Sequence, residues 1–162
     1  MTHPISRRTA ALLALGATAL LACAVLQNAL AQDEGGLYVA EGRFSFEQAA
    51  EQGLARNPAG QRFFVLALPP NAAALTQAAT PSAAALRERV VAAGGVLMVC
   101  QRDVDSGAID AAALVSGVIA VRGFPPRGSD ALPSGERYFP GENRDQLPVN
   151  NSTLTRLRNA CS

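Results

Sequence analysis

The sequence predicts an α/β fold: a parallel sheet with helices on both faces, followed by an irregular extension rich in proline and glycine. Three observations predict it. Short apolar runs alternate along the chain with helical patterns, which is typical of βαβ units. These runs are continuously apolar and therefore fit strands covered on both faces. The stretch Gly123–Asn151 is dominated by Pro, Gly, Asn and Asp, which favour irregular structure.

The first elements are a short strand and a helix. The segment "GLYVAEG", Gly36–Gly42, has the composition of a strand. A helix is predicted to begin after Ser45, because Ser45 and Gln48 have the spacing of a capping box. Asn57-Pro58 ends this helix, since proline disfavours helical backbone in the residue before it.

Two further strands and a helix follow. Phe63–Leu68 is a short apolar run that two prolines end, and it fits a central strand. Asn71–Thr80 is an alanine-rich connection with helical character. A second helix begins at Pro81, a residue favoured in the first turn, and ends at a glycine pair. The run Val96–Cys100 is the next predicted buried strand.

The last part of the chain returns to the sheet and then leaves it. Asp110 is expected to cap a short helix, "AAALVSG", and Val118–Val121 supplies another apolar strand. After the irregular segment, a closing helix is predicted over Thr153–Ala160. It places three apolar residues on one side: Leu154, Leu157 and Cys161.

The amino-terminal segment has the pattern of a secretory signal peptide. Arg7 and Arg8 precede the apolar run Ala10–Leu26, and small residues stand at Ala29 and Ala31. This arrangement predicts cleavage after Ala31 and export to the periplasm. The expected organisation is therefore a signal peptide over 1–31, an α/β domain over 32–122, and a loop with a carboxyl-terminal helix over 123–162.

Three alternatives concern this leader. A retained membrane anchor competes with cleavage, although the apolar run is short for a span. The segment "LLAC" resembles a lipoprotein signal at Cys23, which would anchor the chain through a lipid. The segment "SRRTA" resembles a twin-arginine signal, so the export route stays open between the general secretory and the twin-arginine pathways.

Composition excludes several kinds of chemistry after cleavage. His3 is the only histidine and leaves with the leader, and the chain has no lysine and no tryptophan. A histidine-based triad, a histidine metal site and a lysine Schiff base are therefore excluded, and we expect neither cofactor nor metal. The formal charge of +1 becomes −1 once Arg7 and Arg8 are removed. No basic stripe indicates nucleic acid as a partner.

Cys100 is the candidate reactive residue. It stands at the carboxyl end of a predicted parallel strand, the edge at which α/β proteins gather ligands and reactive groups. Nearby backbone N–H groups and Arg102 would favour its thiolate, and Arg122 is a second candidate to assist. The competing interpretation is a small buried apolar residue, which is the more frequent role of a cysteine at a strand end.

Three segments around Cys100 resemble the DsrE/DsrF-like family. They are "VVAAGGVLMVC", the turn "SGAI" and "DAAALVSGVIAV". The resemblance covers about 62–121 and implies a parallel α/β sheet and oligomers. It also implies, for some members, sulfur carried as a persulfide on the cysteine matched by Cys100. A sulfur-donor or acceptor protein would then be the partner.

Three features depart from that family. The strand "LYVAEG" is short where members begin with a long one, the proline- and glycine-rich tail is unusual, and so is export. An oxidising compartment would also drive Cys100 towards a disulfide. The resemblance therefore supports the fold more than the chemistry.

Cys161 is the other cysteine that remains after cleavage, and paired cysteines are common in exported proteins. A Cys100–Cys161 disulfide would attach the closing helix to the sheet. Two functions stay open. In one, Cys100 binds or transfers sulfane sulfur with help from Arg102. In the other, the protein is a non-catalytic binding or assembly module whose partner surface is Gly123–Asn151.

Overall fold

Four parallel strands form the single sheet of the computed structural model, which describes residues 34–57, 60–125 and 146–162. The strands lie in chain order, β1 to β4, and each pairs in parallel with the next. The predicted α/β class with a parallel sheet is confirmed. The strands are β1 Glu34–Ala40, β2 Arg62–Ala67, β3 Gly95–Cys100 and β4 Ile119–Val121.

Helices α1 (Phe46–Arg56) and α2 (Pro81–Ala92) make the crossovers between the first three strands. The capping box that the sequence predicts begins α1: the Ser45 hydroxyl accepts from the Gln48 N–H at 3.3 Å, and the Ser45 N–H donates to Gln48 Oε1 at 2.9 Å. Thr80 caps α2 by accepting from the Ala83 N–H. These caps satisfy N–H groups that the first turn leaves unpaired.

The first face of the sheet packs against α1 and α2. Its core includes Phe63, whose ring meets the Tyr38 ring edge-on with centroids 6.2 Å apart. Two glycines make room for Phe63, because a Cβ at Gly53 would lie 2.6 Å from the ring and one at Gly95 would lie 2.8 Å from it. The Phe63 ring therefore packs closely against Gly53 and Gly95, and this packing sets the distance between α1 and the sheet.

The connections differ from the prediction in two places. A short helix that was not predicted, α3 (Gln101–Asp105), lies between Cys100 and the turn "SGAI". The helix predicted in "AAALVSG" is only a 3-10 turn over Ala111–Ala113, although Asp110 caps it as expected by accepting from the Ala112 N–H. It stops there because the backbone of Val115 bonds to Leu75 in another connection. The alanine-rich linker forms a 3-10 helix at Asn71–Leu75.

The second face of the sheet is covered by α4 (Asn151–Ala160), which Asn150 caps. Its apolar cluster contains strand residues such as Phe64 and Met98 together with Leu147, Leu157 and Cys161 of the carboxyl-terminal segment. Helices therefore lie on both faces, as predicted, but the second face has only this one helix among the described residues.

The signal-peptide prediction and the lipid-anchor alternative at Cys23 fall outside the described residues, as does most of the predicted irregular segment, 126–145. Within the described part of the chain, no helix combines the length and the apolar character that a membrane span requires.

Candidate functional site

Cys100 is the last residue of β3 and lies in the apolar layer of the second face. It pairs with Val121 of β4 and is completely buried, at 0% exposure. The prediction that it ends a parallel strand is thus confirmed by the sheet register. Its burial differs from the partial exposure that a working thiol requires, because α4 and the residues after it cover the strand end.

Cys161 lies directly against Cys100 and the two are joined in a disulfide, with their Cα atoms 5.1 Å apart. Cys161 follows the last residue of α4 and is 2% exposed. The bridge spans 61 positions of sequence, so it connects the third strand of the sheet to the carboxyl-terminal helix on its second face.

Arg102 does not face a thiolate. Its Nη1 donates to the backbone oxygen of Ser162, and its Nε lies 3.5 Å from Asp103 Oδ1. The other carboxylate oxygen, Asp103 Oδ2, is buried without a hydrogen-bond partner among the described residues. Arg102 therefore holds the segment after Cys161 in place, a role that its sequence position near Cys100 did not suggest.

Arg158 is a buried charge that the sequence analysis missed. It lies on α4 at 2% exposure, donates from Nη2 to the Gly123 carbonyl at 3.2 Å, and lies over the Phe124 ring at 5.4 Å. Both contacts compensate the guanidinium for the water it has lost. Helical spacing predicts an apolar residue for the buried side, whereas the Gly123 carbonyl after β4 offers a hydrogen-bond acceptor to an arginine there.

Ser162 completes the contacts between the end of β4 and the end of α4. Its hydroxyl accepts from the Phe124 N–H at 2.9 Å and donates to the Arg158 carbonyl at 2.8 Å. Gly123 is needed for this approach, because a Cβ there would lie 2.6 Å from Ser162 Cα. We call the group Gly123, Phe124, Arg158, Cys161 and Ser162 the carboxyl-terminal clasp.

A depression of about 280 Å³ lies beside the clasp, at the carboxyl edge of β3 and β4. It brings together Arg102 and Arg122, the two arginines that the sequence singled out, and Cys161 reaches its wall where Cys100 does not. Its lining consists of Gln101, Arg102, Asp105, Arg122, Gly123, Phe124, Cys161 and Ser162.

The donor set at this edge does not suit a metal ion. Across 34–57, 60–125 and 146–162, no group of three or more His, Cys, Asp or Glu side chains is placed to hold one. The Asp105 carboxylate accepts from the Gln101 amide at 2.8 Å, and both cysteine sulfurs are consumed by the disulfide. The chemistry that this arrangement offers is that of a disulfide beside two guanidinium groups.

Comparison of the chain with protein-family models, with curated proteins and with solved structures gives no match. The DsrE/DsrF-like resemblance therefore rests on the sequence segments alone and stays a prediction. Its first segment, "VVAAGGVLMVC", corresponds to the end of α2 and the whole of β3.

Proposed function

We propose that this protein is an exported, non-catalytic binding or assembly module in which Cys100–Cys161 is a structural disulfide. The observation that carries the proposal is the buried bond between the two cysteines, which leaves neither sulfur available as a thiol nucleophile. Disulfides persist in oxidising compartments, which agrees with the leader pattern of 1–31.

In such a module the Cys100–Cys161 disulfide holds α4 on the sheet. Helix α4 is mostly polar, and its Leu157 is one of few apolar side chains that it buries on the sheet. A helix of this length is marginal on its own, so the covalent bond to β3 keeps it on the second face. The proposed partner surface, Gly123–Asn151, includes 126–145, which lie outside the described residues.

The sulfur-carrier hypothesis requires a different chemical state of Cys100. It requires a reduced Cys100 that a sulfur donor can reach, whereas Cys100 is bonded and at 0% exposure. In its favour stand the position of Cys100 at the carboxyl end of β3 and the two arginines nearby. The sulfur-donor partner and the homo-oligomer that the family resemblance implies also remain predictions.

A thiol count on exported protein distinguishes the two functions. Alkylation under denaturing, non-reducing conditions is expected to modify no cysteine of the cleaved chain, and prior reduction should expose both Cys100 and Cys161. Mass spectrometry reads both states. A modified Cys100 in the non-reduced sample, or a mass increased by one sulfur atom, would support the sulfur carrier and contradict the structural disulfide.

The intact mass of the same sample tests the leader. Cleavage after Ala31 leaves a chain that begins at Gln32 or at its cyclised form, since the small residues Ala29 and Ala31 match the peptidase signature. Amino-terminal sequencing provides the check. A chain that begins at a lipid-modified Cys23 would replace periplasmic release by membrane anchoring.

A further inference from the structure

We propose that Cys161 is a thiol–disulfide exchange site: an exported dithiol protein opens the disulfide by attacking Cys161 Sγ through the depression beside the clasp. The inference rests on the disulfide that carries the proposed function, and it adds a partner class and a point of regulation. The partner is defined by its chemistry, as a protein with two neighbouring thiols.

Both cysteines are buried and belong to the apolar cluster of the second face, but they differ in their position relative to the depression. Cys100 is part of the central strand β3 and is covered by the apolar cluster of the second face. Cys161 lies beyond the end of α4 and forms part of the wall of the depression. We therefore infer that a thiolate in the depression attacks Cys161, with Cys100 as the leaving sulfur.

Different parts of the structure must move to expose each sulfur. Ser162 follows Cys161 and lines the same depression, and polar contacts to Arg102, Phe124 and Arg158 hold it. Breaking them is a local opening at the end of the clasp. Reaching Cys100 requires α4 to leave the sheet, which exposes Phe64, Met98 and Leu157 to water. Local openings of the first kind occur more often than sub-global ones.

The charges of the depression also suit a thiolate. Arg102 and Arg122 both line it, and guanidinium groups stabilise the anionic form of an attacking thiol. The acidic side chain in the lining, Asp105, accepts a hydrogen bond from Gln101. The pair of arginines that the sequence assigned to a Cys100 thiolate thus lies around the approach to Cys161.

The exchange balances in two steps. The partner's thiolate bonds to Cys161 Sγ, the disulfide breaks, and Cys100 leaves as a thiolate that takes up one proton; its Sγ lies 3.8 Å from the Ala160 carbonyl, which can accept from the thiol. The partner's second thiolate then displaces Cys161, which takes up a second proton. The protein gains two electrons and two protons, and the partner's dithiol becomes a disulfide.

Reduced glutathione tests which sulfur is attacked, because it has a single thiol and cannot resolve the mixed disulfide intramolecularly, so an acid quench at early times traps that species. Native oxidised protein is exposed to reduced glutathione, quenched in acid, and mapped by peptide mass spectrometry. At early times we expect at least about tenfold more glutathione on Cys161 than on Cys100, reflecting their difference in access. Equal labelling, preference for Cys100, or reaction only under unfolding conditions would overturn the proposal.

A variant pair tests the route. Ser162→Ala removes the hydroxyl contacts to Phe124 and Arg158, so exchange should accelerate by about five- to tenfold, the effect of weakening one or two hydrogen bonds. Ser82→Ala is the matched control. Ser82 lies on α2, outside the clasp and the lining of the depression, and its exposed hydroxyl contacts Thr80, so its loss should leave the exchange rate unchanged. Urea unfolding of both variants shows whether a rate change follows global stability instead, which would contradict local opening.

The outcomes separate this inference from the proposed function. Free thiols at Cys100 and Cys161 in the exported protein would contradict both the structural disulfide and the exchange site. A closed disulfide whose mixed species maps to Cys100 would leave the module intact and overturn only the assignment of Cys161.

Discussion

Replacing Cys100 and Cys161 together by alanine is expected to lower the free energy of unfolding by about 4 kcal/mol, because the cross-link constrains a long loop of the unfolded chain. The bridge spans 61 positions, and its loss also frees a mostly polar α4. For a domain of ordinary stability this is a large fraction of the total. Urea unfolding at equilibrium, followed by circular dichroism, measures the change.

Wild-type protein unfolded in the presence of a reductant is the matched control. It should show the same loss as the double variant, since both lack the cross-link and alanine introduces no buried hydroxyl. A double variant within about 1 kcal/mol of the oxidised wild type would mean that clasp contacts alone hold α4, and the structural role of the disulfide would then be wrong.

Phe63→Ala is expected to lower the free energy of unfolding by about 3–5 kcal/mol, the usual range for removing a buried phenylalanine ring. Phe63 belongs to β2, is 1% exposed, and packs its ring against Tyr38 and Gly53. The matched control is Phe44→Ala, at a residue that is 37% exposed, where a smaller loss of about 1 kcal/mol is expected. Similar losses at both positions would contradict the packing described for the first face.

Gly53 supplies a second test of the same packing. Alone, Gly53→Ala forces a methyl group against the Phe63 ring, and such overpacking destabilises by about 1–3 kcal/mol. In the Phe63→Ala background the ring is gone, so the same change should be neutral or stabilising by up to about 1 kcal/mol from helix propensity. A double-mutant cycle in urea measures this coupling, and additive effects would show that the two residues do not touch.

Local signals predicted much of the fold. The capping box at Ser45 and Gln48, the cap at Asp110 and the apolar runs of β2 and β3 all act within a few residues, so their outcome can be judged from neighbours in the chain. The predicted helix after Asp110 failed for a non-local reason. The Val115 N–H donates to the Leu75 carbonyl instead of continuing the helix. These two residues lie 40 positions apart, so no local pattern connects them.

The sequence identified several residues of the candidate site but not how they are arranged. Cys100, Arg102, Arg122 and Cys161 were singled out, but their mutual arrangement was left open between a free thiol and a disulfide. The register of β3 with β4 and the packing of α4 decide that arrangement. Arg158 was missed entirely, because an arginine on a short polar helix normally faces water.

Residue order therefore established the α/β alternation, the helix caps and the lack of lysine, because each depends on composition or on near neighbours. Tertiary structure decided that the two cysteines are buried and bonded to each other, where Arg102 points and why Gly123 must lack a side chain. Those features arise where segments separated by 35 to 61 positions meet at one edge of the sheet. Burial and hydrogen bonding between these distant segments stabilise the arrangement, and the order of residues alone does not specify which segments meet.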